Sequence, residues 1–298
     1  MTTGKPIITT HLWFDKEAKQ AAEFYTSVFP GSKVTNVTTL RDTPSGDADL
    51  VSFVLWGQPF MGISAGPLFK FNPSISFHVR CKTKDEVDRM WAKLSPDGMV
   101  LMELGSYPWS ERYGWLQDRF GLSWQVIYVG DDEPAQRIVP VLMYVGSVSG
   151  KAEEAINFYI SVFQPAKVDT ISYYGKGEEP NQEGMVKYAA FTLQGQAFGA
   201  MDSAYDHRFS FNEAISFIVS CDTQAEIDYF WDRLSAVPEA EQCGWLKDSF
   251  GVSWQIVPTA MSSMMASADP MKMARVTEAF LKMKKFDIAE LHKAYEGS

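Results

Sequence analysis

Cysteine, positive charge and long apolar runs are all scarce in this chain of 298 residues. Three cysteines are too few for a disulfide framework, which indicates a reducing compartment. The formal net charge of −10 argues against nucleic acid and against an anionic membrane as partners. No apolar run approaches the roughly 20 residues of a membrane span, and residues 1–8 lack the apolar stretch of a signal peptide. We therefore expect a cytoplasmic protein.

The chain contains one pattern twice. The matching segments are residues 22–29 with 155–163, 57–60 with 195–198, 71–77 with 211–217, and 114–125 with 244–255. They follow the same order in both halves with small gaps, which indicates a tandem duplication. We predict a first domain over residues 1–130, a second over residues 137–260 and a helical tail over residues 268–298. The polar stretch at residues 130–134 forms the link.

Hydrophobic periodicity gives the elements of each copy. In the first copy, alternation predicts strands at residues 7–14, 33–40, 49–56, 59–64, 75–81 and 123–129, with a short strand near Trp115. Helical spacing predicts helices at residues 16–29 and 84–94. Each copy therefore contains two units of the order βαβββ, which predicts an α+β fold in which the two units of a copy close one cup.

The most specific repeated stretch is residues 243–258, which read Cys-Gly-Trp-Leu-Lys-Asp-Ser-Phe-Gly-Val-Ser-Trp-Gln-Ile-Val-Pro. With the Phe-Tyr pair at residues 24–25 and the Ile-Ser-Phe strand at residues 75–77, it resembles the PhnB-like branch of the vicinal oxygen chelate superfamily. The resemblance spans residues 7–129 and 138–258, and the tail also resembles that of single-domain members. It implies paired βαβββ modules forming cupped mixed sheets, with a small-molecule site inside each cup.

This superfamily of glyoxalases, bleomycin-resistance proteins and extradiol dioxygenases includes lyases, isomerases, thiol transferases and drug-sequestering binders, so the fold selects no reaction. The branch is also named after a 3-demethylubiquinone-9 3-methyltransferase. The sequence lacks the strand, Gly-x-Gly-x-Gly loop and helix that would bind a nucleotide-type methyl donor. We therefore do not expect methyl transfer.

Metalloenzymes of the superfamily take His, Glu or Gln ligands from the first, fifth and eighth strands, which implies His11, His78 and Gln125 here. The alignment, however, places Ser74 at the fifth-strand ligand position, and His78 lies about 13 Å further along the strand. The first-strand position falls on Thr10 or His11, and one residue reverses the face. An amide is also a weak ligand. We expect no metal and no other cofactor, with a divalent ion at this trio as the alternative.

The second copy offers fewer metal ligands, because its first strand has no histidine and Ala214 occupies its fifth-strand position. Strand alternation directs Gln125 and Gln255 toward the cups, and Trp124 and Trp254 toward the helices. Asp118 and Asp248 are interpreted as turn formers. The candidate ligand-binding residues are His11, Trp13, Ser74, His78, Gln125, Tyr144, Asp202 and Gln255.

The tail predicts two helices, capped by Asp269 and Asp287, whose apolar stripes cover a core or bridge two chains. Two functions stay open, beside a third possibility that both cups have decayed and the protein acts through its interfaces. One is a binding module that takes up a small molecule without a metal, and the other is a metal-dependent lyase, isomerase or dioxygenase acting in the first cup. The two domains are expected to pair within the chain, with a homodimer through the tail as a further alternative.

Overall fold

The computed structural model describes residues 8–43, 46–130, 134–265 and 269–297. Most of the predicted polar link, Ile7 of the predicted first strand and residue 268 of the predicted tail lie outside these ranges.

The first copy forms two βαβββ modules. The first module consists of β1 (Ile8–Phe14), α1 (Ala18–Val28), β2 (Lys33–Thr43), β3 (Gly46–Leu55) and β4 (Gln58–Ser64). The second consists of β5 (Ile75–Cys81), α2 (Lys84–Leu94), β6 (Met99–Tyr107), β7 (Ser110–Gln117) and β8 (Ser123–Tyr128). The prediction lacked β6 and gave only a short strand for β7.

The second copy repeats this order with a shorter end. Its first module consists of β9 (Ile138–Tyr144), α3 (Ala152–Val162), β10 (Ala166–Tyr173), β11 (Val186–Leu193) and β12 (Gln196–Asp202). Its second consists of β13 (Ile215–Cys221), α4 (Gln224–Leu234), β14 (Trp245–Lys247) and β15 (Ser253–Pro258). Three helices follow, α5 (Ala260–Met265), α6 (Pro270–Leu281) and α7 (Ile288–Glu296).

The two modules of one copy do not share a sheet. Sheet A has seven strands in the order β14-β15-β13-β1-β4-β3-β2, and sheet B has eight in the order β10-β11-β12-β9-β5-β8-β7-β6. The copies meet where β1 pairs antiparallel with β13 and where β5 pairs antiparallel with β9. The expectation that the modules of one copy close one cup is therefore wrong, because each sheet combines one module from each copy.

The hydrophobic core, by contrast, joins the two modules within a copy. Aromatic rings connect them at Tyr25 and Trp124, 5.4 Å apart between centroids, and at Phe60 and Phe77, 5.6 Å apart. Tyr159 and Trp254 make the matching contact in the second copy at 5.5 Å. Both tryptophans thus pack toward the helices, as alternation predicts. The division into domains over residues 1–130 and 137–260 stays a prediction. The core contacts within each copy favour this division, whereas each sheet contains strands from both copies.

The tail packs where the second copy lacks a counterpart of β6. The Cys243 N–H donates to the carbonyl of Met283 at 2.8 Å, and the Gly244 N–H donates to that of Lys284 at 2.7 Å. In the first copy, β6 pairs with β7 at the equivalent edge. Asp269 and Asp287 cap α6 and α7 as predicted. The tail therefore covers an edge of its own chain, and bridging of two chains stays a prediction.

Phe286 anchors this tail. Its side chain is 4% exposed and lies so close to Gly244 that a Cβ added there would be 2.5 Å from the ring. We expect Phe286→Ala to lower the free energy of unfolding by about 3 kcal/mol, because it removes a buried aromatic ring and loosens the edge contact. Denaturant titration followed by circular dichroism measures this change.

Met271→Ala is the matched control, because that side chain is 69% exposed on α6 and is expected to change stability by less than about 0.5 kcal/mol. Equal stabilities of the two variants would show that the tail is not anchored at Phe286.

Among the described helices, none combines the length and apolarity needed to cross a bilayer.

Candidate functional site

Each sheet has one face that turns away from the helices. We call these face A on sheet A and face B on sheet B. Gln255 lies on face A and Gln125 on face B, opposite to the tryptophans that precede them, as strand alternation predicts. Both side chains are buried, at 7% and 2% exposure. Polar groups that are buried on such faces are usually paired, so a group without a partner calls for an explanation.

A row of polar side chains crosses face A. His11 on β1 is in register with Ser216 on β13, Ser216 with Ser253 on β15, and Ser253 with Lys247 on β14. Neighbouring strands lie about 4.8 Å apart, so these side chains are successive neighbours. Gln255 Nε2 donates to Ser216 Oγ at 2.9 Å. At the end of the row, Lys247 Nζ pairs with Glu213 at 2.8 Å, which neutralises its charge.

Two buried atoms of this row have no hydrogen-bond partner, namely Nδ1 of His11 and Oγ of Ser253. Burial lowers the pKa of His11 to about 3, so the imidazole is neutral at physiological pH. A buried polar atom without a partner costs roughly 1–3 kcal/mol. Face A therefore contains two buried polar atoms whose lack of a partner is unfavourable to the folded chain.

Aromatic rings line face A beside His11. The Trp245 indole meets the His11 ring edge to face at 5.4 Å and lies 6.2 Å from Trp13. Trp13 packs against Phe69 at 5.1 Å, and its Nε1 donates to the carbonyl of Gly66 at 2.8 Å. Trp13 is therefore fixed, whereas ring contacts hold the indole of Trp245. Face A combines an unpaired imidazole nitrogen with aromatic walls.

Face B carries a polar network that satisfies itself. Gln125 Oε1 lies 2.9 Å from His78 Nε2 and accepts from the Tyr113 hydroxyl at 2.6 Å. Gln125 Nε2 donates to Ser76 Oγ at 2.7 Å. The hydroxyl of Tyr188 is 3.5 Å from His78 Nδ1, and the two rings stack at 5.5 Å. With its nitrogens and oxygens occupied, this network offers a ligand less than face A does.

The groups of face B are also uncharged at neutral pH. Burial lowers the pKa of His78 to about 4, with the hydrogen bond to Gln125 opposing the shift and Arg80 adding to it. Burial raises the pKa of both Tyr113 and Tyr188. The imidazole therefore donates from Nε2 to the amide oxygen.

The metal alternative required His11, His78 and Gln125 around one ion, and the structure places these three residues on two different sheets. His11 lies on sheet A, whereas His78 and Gln125 lie on sheet B, because the two modules of the first copy belong to different sheets. His78 and Gln125 do meet, but through a hydrogen bond to each other. Within the described ranges, no group of three or more His, Cys, Asp or Glu residues is placed to hold a metal.

Three further candidates lie away from both polar networks. Tyr144 packs in the core against Phe211 at 5.2 Å. Asp202 accepts backbone N–H groups of Gly150, Ala152 and Val186, which fixes the start of α3 and of β11. Ser74 Oγ lies 3.3 Å from the carbonyl of Ser210, where the two copies cross. These contacts hold all three side chains in place, although the buried hydroxyl of Tyr144 has no hydrogen-bond partner, and ligand binding by the three residues stays a prediction.

The sequence-based candidate set omitted Ser216, Ser253, Trp245, Tyr113 and Tyr188. The sequence did contain a signal for the first two. Ser253 lies two residues before Gln255 on the same face of β15, and Ser216 on β13 matches Ser76 on β5 of the first copy. Tyr188 had none, since its contact with His78 depends on pairing between copies.

Two mixed sheets built from exchanged βαβββ modules define the glyoxalase/bleomycin-resistance class of folds. The chain belongs to the family described as 3-demethylubiquinone-9 3-methyltransferase, whose family model matches it twice, at residues 6–127 and 136–257. No curated protein matches the chain significantly.

Two solved structures are similar to parts or most of the chain. A putative 3-demethylubiquinone-9 3-methyltransferase, PhnB protein, from Bacillus cereus is 38% identical, with 41% of this chain and 98% of that chain covered and a TM-score of 0.38. Glyoxalase I from Zea mays is 13% identical, with 88% of this chain and 95% of that chain covered and a TM-score of 0.57. The latter likeness shows the fold of the doubled chain.

Proposed function

We propose that the protein is a binding module that takes up a small uncharged molecule on face A, held by a hydrogen bond to His11. The observation that carries this proposal is the buried Nδ1 of His11, which lacks a partner beside the rings of Trp13 and Trp245. Buried polar groups are nearly always paired, and exceptions occur where a ligand or water completes them. The aromatic walls supply apolar area for the remainder of the molecule.

We also propose that this binding uses no resident metal. A catalytic metal needs about three protein ligands and an open position. The polar row of face A offers a single imidazole, hydroxyls and an ion-paired lysine, and the network of face B offers an imidazole, an amide and phenols. These donors fit hydrogen bonding to an organic molecule better than coordination of a divalent ion. The three residues considered for metal-dependent lyase, isomerase or dioxygenase chemistry lie on two different sheets, which favours the metal-free proposal.

The methyltransferase in the family description is not part of this proposal. Both sheets are mixed, and their strand orders differ from the doubly wound parallel sheet that places a nucleotide at the carboxyl ends of its strands. The geometry favours the binding of a small molecule and does not favour the binding of a nucleotide-type methyl donor.

The repeat supplies the variant that tests the proposal. His11 pairs with Ser216 as Val141 pairs with Ser76, so His11→Val installs the residue of the other copy. Benzimidazole is a suitable probe, because it is flat and carries one N–H donor and one nitrogen acceptor. We expect His11→Val to weaken benzimidazole binding about tenfold or more in calorimetric titration. It should also raise the free energy of unfolding by about 1 kcal/mol, because valine leaves no desolvated nitrogen.

His78→Ile is the matched control, since Ile218 occupies the equivalent position of the second copy. It alters face B and should leave benzimidazole affinity unchanged. Equal affinity of wild type and His11→Val would contradict a site at His11. A stoichiometric divalent metal in protein purified without a tag, lost in His11→Val, would contradict the metal-free part of the proposal.

A further inference from the structure

The two copies hold equivalent tryptophans in different ways. Trp115 and Trp245 occupy the same position, each in register with the glutamine of the neighbouring strand. In the first copy, Trp115 Nε1 donates to Ser123 Oγ at 2.8 Å. In the second copy, the equivalent Ser253 Oγ is buried and has no partner, so Trp245 does not make this bond. The indole of Trp245 instead lies against His11 and Trp13.

The internal repeat therefore displays two placements of one side chain on one backbone framework. The placement of Trp115 satisfies the serine beneath it. The placement of Trp245 leaves Ser253 Oγ unpaired and covers the part of face A that contains the unpaired His11 Nδ1. Leaving two buried polar atoms unpaired costs free energy, and the ring contacts of Trp245 with His11 and Trp13 offset that cost.

We propose that the ligand of face A is a planar aromatic molecule that takes the place of the Trp245 indole, while Trp245 turns to donate its Nε1–H to Ser253 Oγ. This inference rests on the proposed function and adds the ligand class and a residue that determines specificity. The ring of the ligand replaces the indole beside Trp13, and its polar edge pairs with His11. Both unpaired atoms thereby gain partners in one step.

The surroundings favour an uncharged ligand. Lys247 is the charged residue of the polar row, and Glu213 already neutralises it at 2.8 Å. Burial keeps His11 neutral, so a formal charge on the ligand would lose hydration without gaining an opposite charge. An aromatic molecule with one donor or acceptor at its edge fits these groups best.

Competition between the indole and the ligand makes a specific prediction. Trp245→Ala is expected to bind benzimidazole about tenfold more tightly than wild type, because the competing ring is gone. Ser253→Ala is expected to bind about fivefold to tenfold more weakly, because the displaced indole N–H loses its acceptor. In the Trp245→Ala background, Ser253→Ala should have no further effect, since the serine acts through the indole. Trp115→Ala and Ser123→Ala are the matched controls on face B and should leave affinity unchanged.

The outcomes separate the two proposals. If neither wild type nor Trp245→Ala binds benzimidazole, the proposed function fails and this inference fails with it. If wild type binds but Trp245→Ala binds more weakly, the function stands and displacement of the indole is overturned, because Trp245 then contacts the ligand. As an independent measurement, the indole ¹⁵N–¹H resonance of Trp245 should move on saturation with benzimidazole toward the position of the Trp115 resonance. A resonance that does not move also overturns the displacement.

Discussion

Replacement of Asp248 by alanine is expected to lower the free energy of unfolding by about 4 kcal/mol. Its buried carboxylate accepts from the Tyr159 hydroxyl and from Trp254 Nε1, both at 2.8 Å, and from the N–H groups of Phe250 and Val252. Alanine leaves the hydroxyl and the indole N–H buried without partners, at roughly 1–3 kcal/mol each. It also releases the turn that leads into β15. Guanidinium titration followed by circular dichroism measures the loss.

Asp248→Asn separates these contributions. The amide oxygen can still accept the two backbone N–H groups, and the amide nitrogen can donate to the Tyr159 oxygen, so Tyr159 keeps a hydrogen bond as an acceptor whereas the Trp254 indole N–H is left without a partner. We expect this variant to lose about half as much stability as Asp248→Ala. The prediction of a turn-forming aspartate is confirmed, but a change below about 1 kcal/mol in Asp248→Ala would refute its role as the partner of Tyr159 and Trp254.

Acid is expected to destabilise the protein through its two buried histidines. Burial lowers the pKa of His11 to about 3 and that of His78 to about 4, whereas an unfolded histidine titrates near 6.5. Below about pH 6.5 the unfolded chain therefore binds protons that the folded chain does not. Each histidine should remove about 1.4 kcal/mol of stability per pH unit until its folded pKa is reached. Urea titrations at several pH values between about 7 and about 4.5 measure how steeply the free energy of unfolding falls with pH.

The double variant His11→Val/His78→Ile tests this origin of the acid sensitivity. Its slope should be shallower than that of wild type, and each single variant should remove about half of the difference. Asp248 acts in the opposite direction. Burial raises its pKa to about 6, so protonation of its carboxyl favours the folded chain, and this pH-dependent part of its stabilisation is lost as the pH rises through 6, while its hydrogen bonds remain. Because Asp248 is unchanged in all variants, the difference between profiles isolates the histidines. Parallel profiles would show that the buried imidazoles do not titrate as proposed.

The sequence predicted most elements because their patterns are local. β5 and α2 match their predicted bounds, and the alternation that directs Gln125 away from the core needs no knowledge of the neighbouring strands. β6 was missed, since none of its residues is buried and Met99–Tyr107 shows no clear alternation. The uncertainty between Thr10 and His11 is resolved by the register of β1 with β13, which aligns His11 with Ser216.

The hydrophobic pattern of the sequence could not predict which strands pair with each other. Period-two hydrophobicity states which face of a strand is buried, but pairing within a copy and pairing between copies bury the same faces. For that reason His11 and His78 were considered for one site from the sequence, although the structure places them on different sheets. The unpaired atoms of face A were equally hidden, because whether Ser253 has a partner depends on the rotamer of one tryptophan in the neighbouring strand.

The exchange of modules bears on how the two copies can diverge. In a dimer of identical single-copy chains, symmetry would make both faces alike, and a substitution that improved one would alter the other. Joining the copies in one chain removes that constraint. His11 is in register with Ser216 of the second copy, whereas His78 is in register with Val139 of that copy. One duplicated scaffold can thus carry a fully paired polar network on face B and unpaired polar atoms on face A, and each face can change without altering the other.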